Sequence, residues 1–122
     1  MALAGQSVGE MYQTIEPYTK AAIAYGEDQK RVTDLGTDSM SALRLETEKQ
    51  SYYLNVLTKA QNKSNTTATQ LMEAYIACGG TLANMNVPIE ESATLLGRMA
   101  DQGTKGSEAG NALNSILVNL MG

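Results

Sequence analysis

Apolar side chains recur at intervals of three and four residues along nearly the whole chain, and this helical periodicity limits the possible folds more than any other feature. Tyr53, Val56, Leu57 and Ala60 show the pattern, whereas the alternation typical of strands is almost absent. Phe and Trp do not occur, so the apolar positions rely on Ala, Leu and seven Met, which favour helices and their close approach. The sequence predicts an all-α fold of five or six short helices, packed as antiparallel helical hairpins because the connections are short.

Proline, glycine and capping patterns place the predicted helix ends. Pro17 predicts a kink or a restart in the first helix because proline lacks a backbone N–H, and Gly26 predicts its end. The spacings of Thr47–Gln50 and Thr67–Gln70 predict two capping boxes, in which threonine and glutamine each bond a free backbone N–H. Pro88 is expected at the first position of a later helix, with two glutamates in the turn that follows.

A glycine-rich stretch, "GTKGSEAG", precedes the last predicted helix. Gly103 can adopt a positive φ and reverse the chain, and Ser107 can cap the helix that follows. Gly106 and Gly110 lie four residues apart on one side of that helix, where the missing side chains let a neighbouring backbone come close. These glycines predict a tight hairpin of two successive helices. The residues of the last helix expected to face inward are Ala109, Ala112, Leu113, Ile116, Leu117 and Leu120.

The chain offers little for catalysis. It has no histidine, the commonest general base and a frequent metal ligand. Cys78 has only apolar or small neighbours in the sequence and is expected to be a buried, unreactive thiol. No metal-ligand spacing appears, and Lys105 precedes Gly106 without the strand and spacing of a phosphate-binding P-loop. We therefore expect no enzyme activity, no cofactor and no bound metal.

Charge and composition restrict the partners. The formal net charge is −4 and the sequence pI about 4.7, and the densest basic pair, Lys30 and Arg31, is flanked by acidic residues. Direct binding of nucleic acid by this segment is therefore not expected. No apolar run is long enough for a membrane span, and the first residues lack the pattern of a signal peptide. Adjacent Tyr52 and Tyr53 point different ways on a helix, so one of them is expected at the surface.

The stretch from Asn65 to Leu120 resembles the core region of phage tail tape measure proteins of the TP901 type. Asn65-Thr66-Thr67 matches that family's helix start, and residues 86–91, "NVPIEE", match its "G-V-x-x-E-E" motif. Residues 103–113, "GTKGSEAGNAL", match "G-I-K-G-S-x-A-G-T-A-L", with departures at Asn86, Thr104 and Asn111. The strongest similarity covers residues 43–120, within one helical segment of residues 1–122. The structural motif assigned from these patterns consists of Gly103, Lys105, Gly106, Ser107, Ala109 and Gly110.

The resemblance implies a structural and assembly role. A protein of this family would set tail length and nucleate the tail tube, with the tail tube protein, tail assembly chaperones and itself as partners. It would lie in the lumen of the tail tube of the virion, after assembly in the host cytoplasm, with no small-molecule substrate. The apolar pattern still runs at Met121–Gly122, which we interpret as a piece of a longer protein. The alternative hypothesis is a stand-alone helical protein–protein interaction module, an adaptor or a regulator.

Overall fold

Six α-helices make up most of the computed structural model, which describes the backbone of residues 8–121 and the side chains of residues 15–120. A short 3-10 turn at Thr47–Lys49 precedes the third helix, and no strand occurs in these residues. The all-α prediction is confirmed. The helices are α1 (Val8–Tyr25), α2 (Gln29–Ala42), α3 (Gln50–Lys63), α4 (Ala68–Asn84), α5 (Ile89–Asp101) and α6 (Gly106–Met121).

Four of the helices end at a residue with a left-handed backbone. These residues are Gly26, Arg44, Asn86 and Gly103, with φ between +57° and +97°. At the end of α5, the N–H of Thr104 donates to the carbonyl of Met99 at 2.9 Å, the Schellman arrangement that satisfies the last carbonyls of a helix. The predicted end at Gly26 is confirmed, and the departure Asn86 is a residue that tolerates this conformation.

One of the two capping boxes predicted from the sequence forms at a helix start, and the other does not. At α4, the N–H of Gln70 donates to Thr67 Oγ1 and the N–H of Thr67 donates to Gln70 Oε1, so the second predicted capping box forms. The first box, at Thr47–Gln50, is wrong. Thr47 lies inside the 3-10 turn, whose N-cap is Glu46, and α3 begins at Gln50 with Lys49 as its N-cap; neither N-cap residue makes a side-chain cap bond. Pro88 lies one residue before α5, as its N-cap.

Pro17 lies inside α1, which continues without a restart from Val8 to Tyr25. Proline removes one hydrogen bond from the helix ladder, and this loss is tolerated where tertiary packing fixes the helix on the following turn. Tyr18 and Ala22 are buried directly after Pro17. The Tyr18 ring also occupies the space beside Gly36 of α2, so α2 passes through this glycine without a break.

Successive helices reverse direction, but the largest contacts join helices that are not successive. Arg31 pairs with Glu73 near the starts of α2 and α4, and Ala42 contacts Gly79 near their ends, so these two helices run parallel. α6 lies parallel to α4 on its other side, because Ala74 contacts Gly110 and, farther along both helices, Thr81 is hydrogen-bonded to Asn114. α3 and α5 form a second parallel pair, and α1 packs antiparallel to α2.

Tyrosines occupy the centre of the core in a sequence that contains neither Phe nor Trp. The rings of Tyr53 and Tyr75 meet edge to face with centroids 6.0 Å apart, and Tyr18 is buried beside them. The hydroxyls of these three tyrosines all have a partner: Tyr18 donates to Met40 Sδ, Tyr53 donates to Ser39 Oγ at 2.6 Å, and Tyr75 shares a 2.7 Å bond with Ser92 Oγ. Tyr52, next to Tyr53, is 39% exposed, which confirms that the two rings separate.

Candidate interaction surfaces

The backbones of α4 and α6 approach each other most closely at Gly110. A Cβ atom built on Gly110 would lie 2.7 Å from the Cα and 2.9 Å from the carbonyl carbon of Ala74, closer than real Cβ contacts. The two buried alanines, Ala74 and Ala109, keep the surroundings of this contact small. The glycine therefore allows backbone contact between helices. Its partner is α4, however, and the predicted tight hairpin of two successive helices, α5 and α6, is wrong.

The other motif residues have local positions in the turn between α5 and α6. Gly103 reverses the chain with φ +97°, and Gly106 has φ +61° with only Glu73 Oε1 nearby, at 3.7 Å. Both positions therefore use glycine for backbone conformation. α6 begins at Gly106, so Ser107 lies exposed in the first turn of the helix and not at its cap. The carbonyl of Lys105 accepts the N–H of Ala109 at 3.3 Å.

The C-terminal part of α6 exposes large apolar side chains. Leu113 and Leu117 are buried against the core, but Ile116 is 52%, Val118 49% and Leu120 74% exposed. The predicted inward positions of Ile116 and Leu120 are wrong. Thr81 donates to Asn114 Oδ1, which aligns the two parallel helices so that α6 continues about one turn past the last residue of α4, Asn84. A helix end that is apolar on several sides is typical of a segment covered by a partner.

A groove of about 440 Å³ separates α3 from α5. Its floor is apolar, with Val56 and Ala60 from α3 and Ala93 from α5. At one end, Tyr52 donates to the Glu90 carboxylate, and this bond lowers the pKa of Glu90 and raises the pKa of Tyr52 to about 12. At the other end, Ser64 contacts Gly97 and the helices come together again.

The titratable side chains between residues 15 and 120 show no arrangement that activates a nucleophile. Cys78 is a free, fully buried thiol on α4, and burial raises its pKa to about 11, the opposite of what a reactive cysteine needs. Within the described residues, no three metal-ligating side chains come together and no helix is long and apolar enough to cross a membrane. The acidic pair Glu90 and Glu91 lies in the first turn of α5, where a helix dipole favours negative charge.

Comparison with known proteins places the chain in a family. The family of phage-related minor tail proteins matches it over residues 1–122. A tape measure protein of Pneumococcus phage Dp-1 is 28% identical over 117 residues, which cover 96% of this chain and 10% of that relative. The chain thus spans about a tenth of the length of the phage protein. No solved structure matches it. The chain belongs to the family of phage-related minor tail proteins.

Proposed function

We propose that this chain is a helical segment of a tail tape measure protein, which helps set tail length and nucleates assembly of the tail tube. The family match and the similarity to the Dp-1 tape measure protein support the assignment. The structural observation that carries it is the exposed apolar end of α6, formed by Ile116, Val118 and Leu120. A segment of a long protein needs such a surface to join neighbouring segments, other copies of itself, or the proteins of the tube.

The packing between helices also suits a protein confined in a narrow tube. Gly79 lies directly against Ala42 of α2, and Gly110 lies directly against Ala74 of α4, so three parallel helices pack with little side-chain volume between them. Interfaces made of such small residues let the helices lie close together and so keep a layer of helices thin. In the proposed role, the protein lies in the lumen of the tail tube, assembles in the host cytoplasm, and contacts the tail tube protein and the tail assembly chaperones.

An in-frame deletion of residues 8–121 in the phage tests the length-setting role. If the segment spans the tube as extended helix, tails shorten by roughly 1.5 Å per residue removed, on the order of 170 Å, measured on negatively stained particles. Replacing the same residues with an unrelated helical sequence of equal length should restore tail length. Tails of unchanged length after the deletion would overturn the length-setting role.

Nucleation of the tube has a separate readout, the number of tails formed. The replacement of equal length keeps the residue count but removes the exposed side chains of α6, so we expect fewer complete tails of normal length. If the replacement gives as many complete tails as the natural segment, this segment has no part in nucleation.

A further inference from the structure

We propose that the groove between α3 and α5 is a docking site for an acidic amphipathic helix of a partner protein. The inference depends on the groove alone and holds whether or not the segment sets tail length. The groove is open between the contact of Tyr52 with Glu90 and the contact of Ser64 with Gly97. The chain from Tyr52 of α3 to Ser64, the residue after this helix, spans roughly 18 Å, so the opening has the length of about three helical turns.

The groove concentrates positive charge on a chain whose net charge is −4. Lys59 and Lys63 of α3 and Arg98 of α5 line it, and all three side chains are exposed. None of the three forms an ion pair within 4 Å with a described residue, which they share with Arg44, Lys49 and Lys105, whereas Lys20, Lys30 and Arg31 are paired. Lys63 and Arg98 also lie in the last turns of their helices, where the dipole favours cations. Lys59 lies a turn earlier on the same side of the groove, and its charge also helps to lower the pKa of the Glu90 carboxyl.

The floor and the two ends determine what kind of anion fits. Val56, Ala60 and Ala93 form an apolar strip that an apolar side chain can cover and a phosphate chain cannot. Glu90 places a negative charge at the end opposite Lys63 and Arg98, so a uniformly charged polyanion would be repelled there. A helix with its acidic residues in one turn and apolar residues in the next matches both features.

The one aromatic ring that lines the groove, that of Tyr52, also argues against nucleic acid as the ligand. The ammonium group of Lys49 lies over the Tyr52 ring, 5.7 Å from its centroid, and the Tyr52 hydroxyl is bonded to Glu90. The ring face that would stack on a base therefore already has a neighbour. The proposed partner is a protein helix.

The test uses fluorescence anisotropy at low salt with a labelled synthetic helix of about twelve residues. The peptide contains alanine, two leucines four residues apart, and three glutamates in its first turn; a second peptide has glutamine in place of the glutamates. We expect saturable binding of the first peptide to the natural chain, and binding of the second to be weaker by about tenfold or more. Equal binding of the two peptides, or no saturable binding of the first, would overturn the proposal.

Two triple variants with the same change in net charge separate the groove from general electrostatics. Lys59→Glu, Lys63→Glu and Arg98→Glu together should weaken binding of the acidic peptide by about tenfold or more. Lys20→Glu, Arg44→Glu and Lys105→Glu together, outside the groove, should change it by no more than about twofold. Equal weakening by both variants contradicts a site in the groove. Tighter binding of a single-stranded oligothymidylate than of the acidic peptide contradicts a protein helix as the partner.

Discussion

Two glycines inside helices, Gly110 and Gly80, have opposite surroundings. A Cβ at Gly110 would overlap the backbone of Ala74, whereas a Cβ at Gly80 would meet nothing within 4 Å. Backbone atoms of a packed helix cannot move aside as the end of a flexible side chain can. Gly110 is therefore required by packing, and Gly80 is a helix position at which a better helix former would fit.

The substitutions Gly110→Ala and Gly80→Ala should accordingly change stability in opposite directions. We expect Gly110→Ala to lower the free energy of unfolding by about 1–3 kcal/mol, because α4 and α6 have to separate. Gly80→Ala should raise it by about 0.5–1 kcal/mol through helix propensity alone. Urea unfolding followed by circular dichroism measures both. If Gly110→Ala proves as stabilising as Gly80→Ala, the close contact between the helices does not exist.

Residue patterns predict some turns and miss others for a physical reason. Gly26 marks its helix end because glycine adopts a positive φ without steric penalty. Arg44 has φ +58° at the end of α2, yet arginine gives no sign of this in the sequence. The carbonyl of Met40 accepts the N–H of Leu45 at 2.9 Å, and this local bond, together with the packing of α2 on α4, holds the arginine in its unfavourable conformation.

The helices themselves follow from the periodicity, but the choice of packing partners does not. Apolar residues lie on more than one side of α6, so the periodicity alone does not show which of them contact the core. Leu113 and Leu117 are buried because α4 lies beside them, and Leu120 is exposed because α4 has already ended. The partner of Gly110 likewise depends on tertiary arrangement, because α4 is separated from α6 in the chain by the whole of α5. A contact between non-successive helices leaves no local signal.

Substitutions along α6 test this division of the helix. Leu117→Ala should lower the free energy of unfolding by about 2–4 kcal/mol, because it opens a cavity in the core. Leu120→Gln should change it by less than about 0.5 kcal/mol and should weaken association between copies at high concentration. Thermal unfolding and light scattering measure the two effects. A large loss of stability from Leu120→Gln would show that this side chain is covered within the folded chain.

At the scale of the whole molecule, the ionisable groups of the core are all neutral at physiological pH. In the described residues they are tyrosines and one thiol, and burial raises the pKa of each: to about 12 for Tyr18, to about 11 for Cys78, and well above the usual value for Tyr53 and Tyr75. The chain has no histidine. Its stability should therefore vary little between about pH 6 and pH 8 and change mainly in alkali.

The alkaline loss of stability has a definite sign. Above about pH 9 the thiol of the unfolded chain releases its proton, whereas Cys78 in the folded chain keeps it up to about pH 11. The unfolded state then binds fewer protons than the folded state, so stability falls as the pH rises through this window. At pH 10 the thiol should account for about 1 kcal/mol of the loss, and the buried tyrosines add to it from about pH 10 upward.

The variant Cys78→Ala isolates the contribution of the thiol. Removing a buried sulfur changes stability at every pH. The quantity to compare between the two chains is therefore the change in the free energy of unfolding from pH 8 to pH 10. We expect that change to be smaller than in the natural chain by about 1 kcal/mol, measured by urea unfolding at each pH. The folded natural chain should also react with a thiol reagent at pH 8 only as fast as it opens. An unaltered pH dependence in Cys78→Ala, or rapid reaction of the folded chain, would mean that water already reaches the sulfur between α4 and its neighbours.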